Sequence, residues 1–184
     1  KLGIAFLDIS TGEFLTSEGN IEQIDKLLQN FGPNEVLVSK ANKKEFLEVF
    51  GNQFHVFYTE DWIFQEDYAL ETLTHHFKTK NLKGYGVDHL PHGIVASGVV
   101  LHYLLETQHK QLQHINKLQR IAEEEYIWMD RFTIKNLELY HSNNSNAVTL
   151  LEVIDKTISP MGGRMLKRWL ALPLKNLEKI RRRH

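Results

Sequence analysis

The chain has 184 residues, of which 42% are hydrophobic and 24% are charged, and it carries a net charge of −1 and no cysteine. This hydrophobic content is enough for a buried core and excludes a disordered chain. The absence of cysteine excludes disulfide bonds and thiolate metal sites and fits an intracellular protein. No apolar run reaches the roughly 20 residues of a membrane-spanning helix, and no signal peptide opens the sequence.

The first part of the chain alternates predicted strands and helices. Residues 3–10 and 13–17 have strand character and flank Thr11 and Gly12, which predicts a β-hairpin. Further strands are predicted at residues 35–39 and 54–58, and helices at 21–31, 43–50, 67–80 and 92–110. This alternation predicts an α/β sandwich with a mixed sheet, ending near residue 115.

The second part of the chain is predicted to be mainly helical. Its predicted extended pieces are residues 117–121 and 126–129, and its predicted helices are 131–140, 148–154, 160–172 and a last one from about 176. Strand-like sequence begins at the first residue, and helical sequence continues to the last. We therefore expect the chain to be an excised piece of a longer protein.

The formal charge is distributed unevenly between these two parts. Residues 1–115 contain 9 Lys and Arg against 15 Asp and Glu, a net charge of −6, whereas residues 116–184 contain 13 against 8, a net charge of +5. The asymmetry predicts two domains with different partners. Only the second part has the sign of charge that attracts phosphate.

The most informative stretch is DKTISPMGGRMLKRWLALPL, residues 155–174. A serine N-cap followed by proline at the first helical position predicts a helix start, and the next proline ends that helix. Met161, Met165, Trp169 and Leu172 recur at helical spacing, which predicts a buried amphipathic helix with a solvated basic face. The glycine pair at 162–163 predicts close backbone packing against a neighbour.

The order of residues in this stretch resembles the MutS family of DNA mismatch-repair proteins. The matching positions are Asp155, Thr157, Ser159, Pro160, Met161, Gly162, Arg164, Leu166, Trp169, Leu170, Pro173 and Leu174. Three other runs resemble the family: GIAFLDISTGEF, LKGYGV, and MDRFTIKNLEL with Asp130 and Asn136. The last run departs from the family pattern at Arg131-Phe132 and Ile134, and Trp128 precedes its methionine.

The resemblance implies a fold and a division of the chain. Residues 1–115 would be a connector domain with a ribonuclease-H-like α/β fold, and residues 116–184 the first part of a helical core, or lever, domain truncated at its C-terminus. Nine residues would have a structural or transmission role. They are Asp130, Asn136, Asp155, Pro160, Met161, Gly162, Arg164, Trp169 and Pro173.

The resemblance also implies a function that extends beyond this piece. The full-length protein would be a cytoplasmic, nucleoid-associated homodimer that hydrolyses ATP with magnesium, recognises mismatched duplex DNA and recruits MutL. This piece would hold no cofactor and no catalytic residue, and it would pass conformational change between the ATPase and DNA-binding domains. Glu71, Thr72, His75 and Lys78 form a candidate MutL-docking face on the predicted helix 67–80, with a plain solvated face as the alternative.

Three further hypotheses follow from the residues. The first is a ribonuclease-H-like nuclease in which Asp8, in the first strand, binds a metal ion. Such a site would need further carboxylates close in space, for which Asp67, Asp88 and Glu106 are candidates. The favoured interpretation is that Asp8 is a carboxylate at a strand end near a turn. The basic residues Arg164, Lys167 and Arg168 are a candidate phosphate contact, although a solvated face is favoured here too. The third hypothesis is a free-standing adaptor with a basic helical arm. None of the ten histidines has zinc-helix spacing, and no phosphate-binding loop motif occurs.

Overall fold

The computed structural model describes residues 1–107, 112–121, 125–140, 142, 144 and 146–183. The chain divides into two compact units. Unit 1 consists of Lys1–Asp25 and Pro33–Ile121, and unit 2 consists of Lys26–Gly32 and Ala122–His184. Helix α1, Ile21–Phe31, therefore contributes residues to both units. Within the described ranges, no helix combines the length and apolar character needed to cross a bilayer.

The predicted hairpin is present in unit 1. Strand β1, Leu2–Asp8, pairs antiparallel with β2, Glu13–Gly19, and Gly12 adopts a φ of +72° in the turn between them. Glycine enters this left-handed region without the steric cost of a side chain, which explains the turn. A short strand β5, Gln119–Arg120, adds in parallel to β2, so the sheet is mixed, with the order β1-β2-β5.

The remaining two strands form a sheet of their own. Strand β3, Val36–Ser39, pairs in parallel with β4, Val56–Thr59, and helix α2, Lys43–Phe50, connects them. A mixed sheet is present as predicted, but it does not contain all the strands, because β3 and β4 form a separate two-stranded sheet. The alternation of strands and helices along a sequence indicates which layers form, but it does not determine which strands pair with each other.

Two helices cover the core of unit 1. They are α3, Glu66–Phe77, and α4, Pro91–Glu106. Helix α3 ends before the predicted Lys80 because Lys78 takes a left-handed conformation, with φ of 52°. The predicted end of α4 at 108–110 lies outside the described residues. The buried side chains that fill this core include Phe14, Leu73, Leu82, Val87, Leu101, Leu104, Ile115 and Leu118.

Unit 2 consists largely of short helices. They are α5, Arg131–Asn136; α6, Leu150–Ile154; α7, Pro160–Ala171; and α8, Leu177–Arg181. The prediction of a helix over 131–140 is wrong beyond Asn136. Glu138 has a φ of +49°, and the carbonyls of Glu138 and Leu139 accept hydrogen bonds from the amides of Leu150 and Leu151.

A capping side chain begins each of these four helices. The caps are Asp130 for α5, Thr149 for α6, Ser159 for α7 and Asn176 for α8. Such a cap stabilises a helix by about 1 kcal/mol because it satisfies an otherwise unpaired amide of the first turn. Isolated helices of five or six residues are unstable in water, so caps and tertiary contacts are needed to hold them.

Candidate functional site

The four residues predicted to form a docking face do not all project alike from α3. Glu71 and His75 are exposed and one helical turn apart, so they share a face. Thr72 is half-buried, and its hydroxyl donates a hydrogen bond to the Tyr68 carbonyl, 2.8 Å away. Lys78 is exposed at the left-handed residue that ends the helix. The face therefore presents mainly Glu71 and His75.

An aromatic cluster adjoins this face and was missed in the sequence. Trp62 lies in a 3₁₀ turn, Asp61–Phe64, and its ring centroid is 4.9 Å from that of Tyr68 and 5.5 Å from that of His102. The Tyr68 hydroxyl is 2.7 Å from Nδ1 of His102, which links α3 to α4. Because these residues are far apart along the chain, the sequence signal was limited to one tryptophan between acidic residues.

The elements that carry this cluster are acidic. The 3₁₀ turn, α3 and α4 contain five carboxylates and no lysine or arginine. Asp61 is held within the fold, since its Oδ1 accepts hydrogen bonds from Ser39 Oγ at 2.5 Å and the Ala41 amide at 3.0 Å. The bond from Ser39, followed by the bond from Ala41, lowers the pKa of Asp61 below its ordinary value. The other four are exposed, and no basic side chain pairs with them within the described ranges: Glu66, Asp67, Glu71 and Glu106.

The carboxylate of Asp8 is engaged by its own turn. Its Oδ1 accepts hydrogen bonds from the Ser10 amide at 2.8 Å and the Thr11 amide at 3.3 Å, as the strand-end interpretation predicts. Asp67, Asp88 and Glu106 lie respectively in the first turn of α3, before α4 and at the last residue of α4. Across the residues that the structure describes, no three His, Cys, Asp or Glu side chains gather into a metal-binding group. This arrangement gives the nuclease hypothesis no support.

The Asp155 loop packs against the start of α7. Asp155 Oδ1 accepts hydrogen bonds from the amide and hydroxyl of Thr157, at 2.9 and 2.7 Å. A Cβ added at Gly162 would lie 3.2 Å from Thr157 Cβ, and one added at Gly163 would lie 3.3 Å from Thr157 Oγ1. The close approach predicted from the glycine pair is therefore present, and the neighbour is the loop that precedes the helix. Ser159 Oγ accepts the Gly162 amide, with Pro160 as the first helical residue.

The apolar stripe of α7 is buried only at its C-terminal end. Met161 is 46% exposed and Met165 is 44% exposed, whereas Ala171 and Leu172 are buried. The prediction of a buried stripe is therefore wrong for the first half of the helix. The described side chains of unit 2 enclose the last turn of α7 and leave its first two turns open to solvent.

Several basic side chains of the second part already have interaction partners. Lys167 Nζ lies 5.6 Å from the centroid of the Tyr140 ring, and the Tyr140 hydroxyl donates to the Lys167 carbonyl at 2.9 Å. Burial raises the pKa of Tyr140 well above its ordinary value. The Arg183 guanidinium lies 4.3 Å from the Trp169 ring centroid, and neither Arg164 nor Arg168 is free of interactions. A phosphate contact by Arg164, Lys167 and Arg168 stays a prediction.

The other residues predicted to transmit change hold local backbone structure. Asp130 Oδ1 accepts the Thr133 amide at 2.7 Å, and Asn136 is the last residue of α5. The Pro173 carbonyl accepts the Ile127 amide at 2.7 Å, beside the bridge between Tyr126 and Leu174. These bonds connect the segment before α5 to the segment after α7.

Acid is expected to destabilise unit 2 through the carboxylates of Asp130 and Asp155, which accept backbone hydrogen bonds. The hydrogen bonds from Thr133 lower the pKa of Asp130 below 3.8, and those from the Thr157 side chain and amide do the same for Asp155. Because the folded-state pKa is the lower one, this stability is present above the unfolded value and is lost as the pH falls through the folded value. We expect the Asp130→Asn/Asp155→Asn variant to show a smaller drop in melting temperature between about pH 6 and pH 3. Thermal scans by circular dichroism measure the drop.

Asparagine keeps a side-chain oxygen that can accept the hydrogen bond at both positions, and it removes the titrating group. The matched control is Glu178→Gln, which changes a carboxylate of the same unit that caps no helix. We expect this control to keep the acid sensitivity of the parent chain. Equal sensitivity in the double variant would contradict the assignment of acid lability to these two carboxylates.

Fold and site together define an α/β unit with an acidic, aromatic helical face, followed by a mainly helical unit. Two family models match in the same order: MutS domain II over residues 1–116 and MutS domain III over residues 132–184. The chain belongs to the MutS family of DNA mismatch-repair proteins.

Curated relatives match over essentially the whole chain. The proteins named DNA mismatch repair protein MutS from Flavobacterium psychrophilum and Christiangramia forsetii are 68% and 69% identical over 183 residues, and that from Parabacteroides distasonis is 55% identical over 181 residues. These alignments cover 100%, 100% and 98% of this chain and 21% of each relative. The chain thus spans about a fifth of the length of the curated relatives it matches.

Proposed function

We propose that this chain is the connector domain and the first part of the core, or lever, domain of a MutS-type mismatch-repair ATPase. Its work is mechanical: unit 1 docks a MutL-type protein, and unit 2 transmits conformational change between the ATPase and mismatched-DNA-binding domains. The observation that carries the proposal is the ordered match to MutS domains II and III. Support for docking on the first of these domains comes from four exposed carboxylates that no basic side chain pairs with in the described ranges: Glu66, Asp67, Glu71 and Glu106.

The finer assignments belong to the same proposal. The connector is residues 1–115, with a ribonuclease-H-like fold, and the lever segment is residues 116–184. The full-length protein is a cytoplasmic, nucleoid-associated homodimer that binds mismatched duplex DNA and hydrolyses ATP with magnesium. This segment itself supplies no catalytic group and no cofactor ligand.

Each predicted residue set has a role in this scheme. Glu71 and His75 are the exposed members of the docking face, with Thr72 and Lys78 at its margins. The nine transmission residues, from Asp130 to Pro173, hold the caps, loops and strand-like contacts of unit 2. Transmission requires an element with two arrangements, and the capped helices of unit 2 are the elements we propose for it. Arg164, Lys167 and Arg168 are the proposed phosphate contact, for which Lys167 would have to leave the Tyr140 ring.

Reversing one charge on the docking face is expected to weaken binding of the MutL-type protein at least about tenfold, because it destroys the match between this acidic face and the charges of a surface that fits it. The variant is Glu71→Lys, and isothermal titration of the MutL-type protein into the 184-residue chain measures the affinity. The matched control is Glu48→Lys, the same substitution at an exposed glutamate of α2 in the same unit. We expect the control to bind like the parent. Absence of binding by the parent chain, or equal loss in both variants, would contradict the proposal.

A further inference from the structure

The exposed tryptophan of unit 1 lies within a fixed aromatic arrangement. Trp62 is 54% exposed, yet its ring makes edge-to-face contacts with Tyr68 and His102. The hydrogen bond between those two partners, at 2.7 Å, holds their rings in place. Helices α3 and α4 approach closely beneath them, because Gly98 lies against Ala69. An exposed aromatic group that is already ordered loses little conformational entropy on binding.

Three exposed carboxylates lie on or beside the elements that carry this cluster. Glu71 follows Tyr68 by three residues and Glu106 follows His102 by four, so each shares a helix face with one ring of the cluster. Glu66 is the first residue of α3, two residues after the 3₁₀ turn that carries Trp62. All three are exposed, and none is paired with a basic side chain in the ranges that the structure describes. We call these three carboxylates together with Trp62, Tyr68 and His102 the aromatic–acidic surface.

We propose that the aromatic–acidic surface binds an arginine-bearing segment of the protein partner. This inference rests on the proposed function, namely that unit 1 docks a protein. An indole face attracts a cation, and the planar guanidinium both stacks on aromatic rings and donates paired hydrogen bonds to carboxylates. Lysine offers only a point charge, so arginine fits both halves of the surface better.

The same surface is unsuited to two other occupants. Phosphates of DNA would face the three exposed carboxylates, which is repulsive. An apolar helix would bury those carboxylates without hydrogen-bonding partners. The free energy of their desolvation would exceed the free energy that contact with the aromatic rings contributes. A basic protein segment can stack on the rings and pair with the carboxylates at the same time.

The first part of the test compares variants of the 184-residue chain against the MutL-type protein by titration calorimetry. Trp62→Ala is expected to weaken binding at least about tenfold, as for an aromatic residue at the centre of an interface, and Trp62→Phe to weaken it less. The matched control Phe57→Ala removes another exposed aromatic ring of unit 1, and we expect it to bind like the parent. Because Trp62 is largely exposed, thermal scans should show each Trp62 variant folded.

The second part uses defined probes and the indole NMR signal of Trp62, assigned by its loss in Trp62→Ala. A Gly-Ser decapeptide with three arginines should shift this signal and compete with the partner. The same peptide with three glutamates and a short DNA duplex should do neither. The shift should shrink in the Glu71→Gln/Glu106→Gln variant and as salt rises, because the attraction is electrostatic.

The outcomes distinguish a failure of the arginine-binding inference from a failure of the proposed docking function. If the partner binds but Trp62→Ala binds like Phe57→Ala, the inference is overturned and the proposed docking function stands. If the partner does not bind at all, the docking function fails, and the inference that names a segment of this partner fails with it, even if the arginine peptide shifts the signal. A shift by the glutamate peptide or by DNA, or no shift by the arginine peptide, overturns it.

Discussion

Replacing Gly98 by alanine is expected to lower the free energy of unfolding of unit 1 by about 2–3 kcal/mol, the upper part of the range for overpacking a core. A Cβ at this position would lie 2.4 Å from the Ala69 Cβ and 2.5 Å from the Ala69 Cα. Neither atom is the end of a flexible side chain, so α3 and α4 must move apart. That movement would open the packing between Ala69 and the neighbouring core residues, which are fully buried. Urea unfolding followed by circular dichroism measures the change.

The matched control is the same substitution at Gly84, where an added Cβ would meet nothing within 4 Å. We expect Gly84→Ala to change stability by about 0.5 kcal/mol or less, as is usual for surface substitutions. Similar unfolding free energies for the two variants would contradict the close approach of α3 and α4. Since the aromatic–acidic surface spans both helices, such a result would also weaken the argument for its rigidity.

Truncating Leu73 to alanine is expected to cost about 2–5 kcal/mol, the usual range for emptying a fully buried leucine site. Leu73 is 0% exposed and lies in the core cluster of unit 1. Leu70→Ala on the same helix is the matched control, because Leu70 is 40% exposed and its truncation should cost about 1 kcal/mol or less. The two variants are compared by urea unfolding.

Leu73→Ala also separates stability from docking. Its side chain faces the core rather than the aromatic–acidic surface, so the folded variant should still bind the MutL-type protein with near-parental affinity at low temperature. Equal costs for the two leucines would show that the burial of α3 is misassigned. Loss of binding by a folded Leu73→Ala chain would show that docking depends on the core and not on the exposed face.

The features predicted correctly from the sequence are those that depend on neighbouring residues. Thr11 and Gly12 supply the turn chemistry of a hairpin, and Ser159 followed by Pro160 supplies both the cap and the first residue of a helix. The exposure of Glu71 and His75 was predicted because exposed positions follow from helical periodicity. In each case, the prediction depends on a few residues that are close together in the sequence.

The features missed or wrong depend on distant residues. The helix predicted over 131–140 stops because the carbonyls of Glu138 and Leu139 bond to amides more than ten residues later. The stripe of α7 has the right period, but periodicity does not say whether a neighbour covers it. The aromatic cluster joins Trp62 to His102 across forty positions, and no local pattern reports such a contact.

Amide hydrogen exchange of the 184-residue chain, with and without the MutL-type protein, tests the docking account most directly. Binding at the aromatic–acidic surface should slow exchange in residues 61–77 and 98–106, because contacts on these helices raise the free energy of local opening. Exchange in α2, in the same unit, should be unchanged. Slowed exchange confined to the β1–β2 hairpin or to α7 and α8, with α3 and α4 unaffected, would contradict the account.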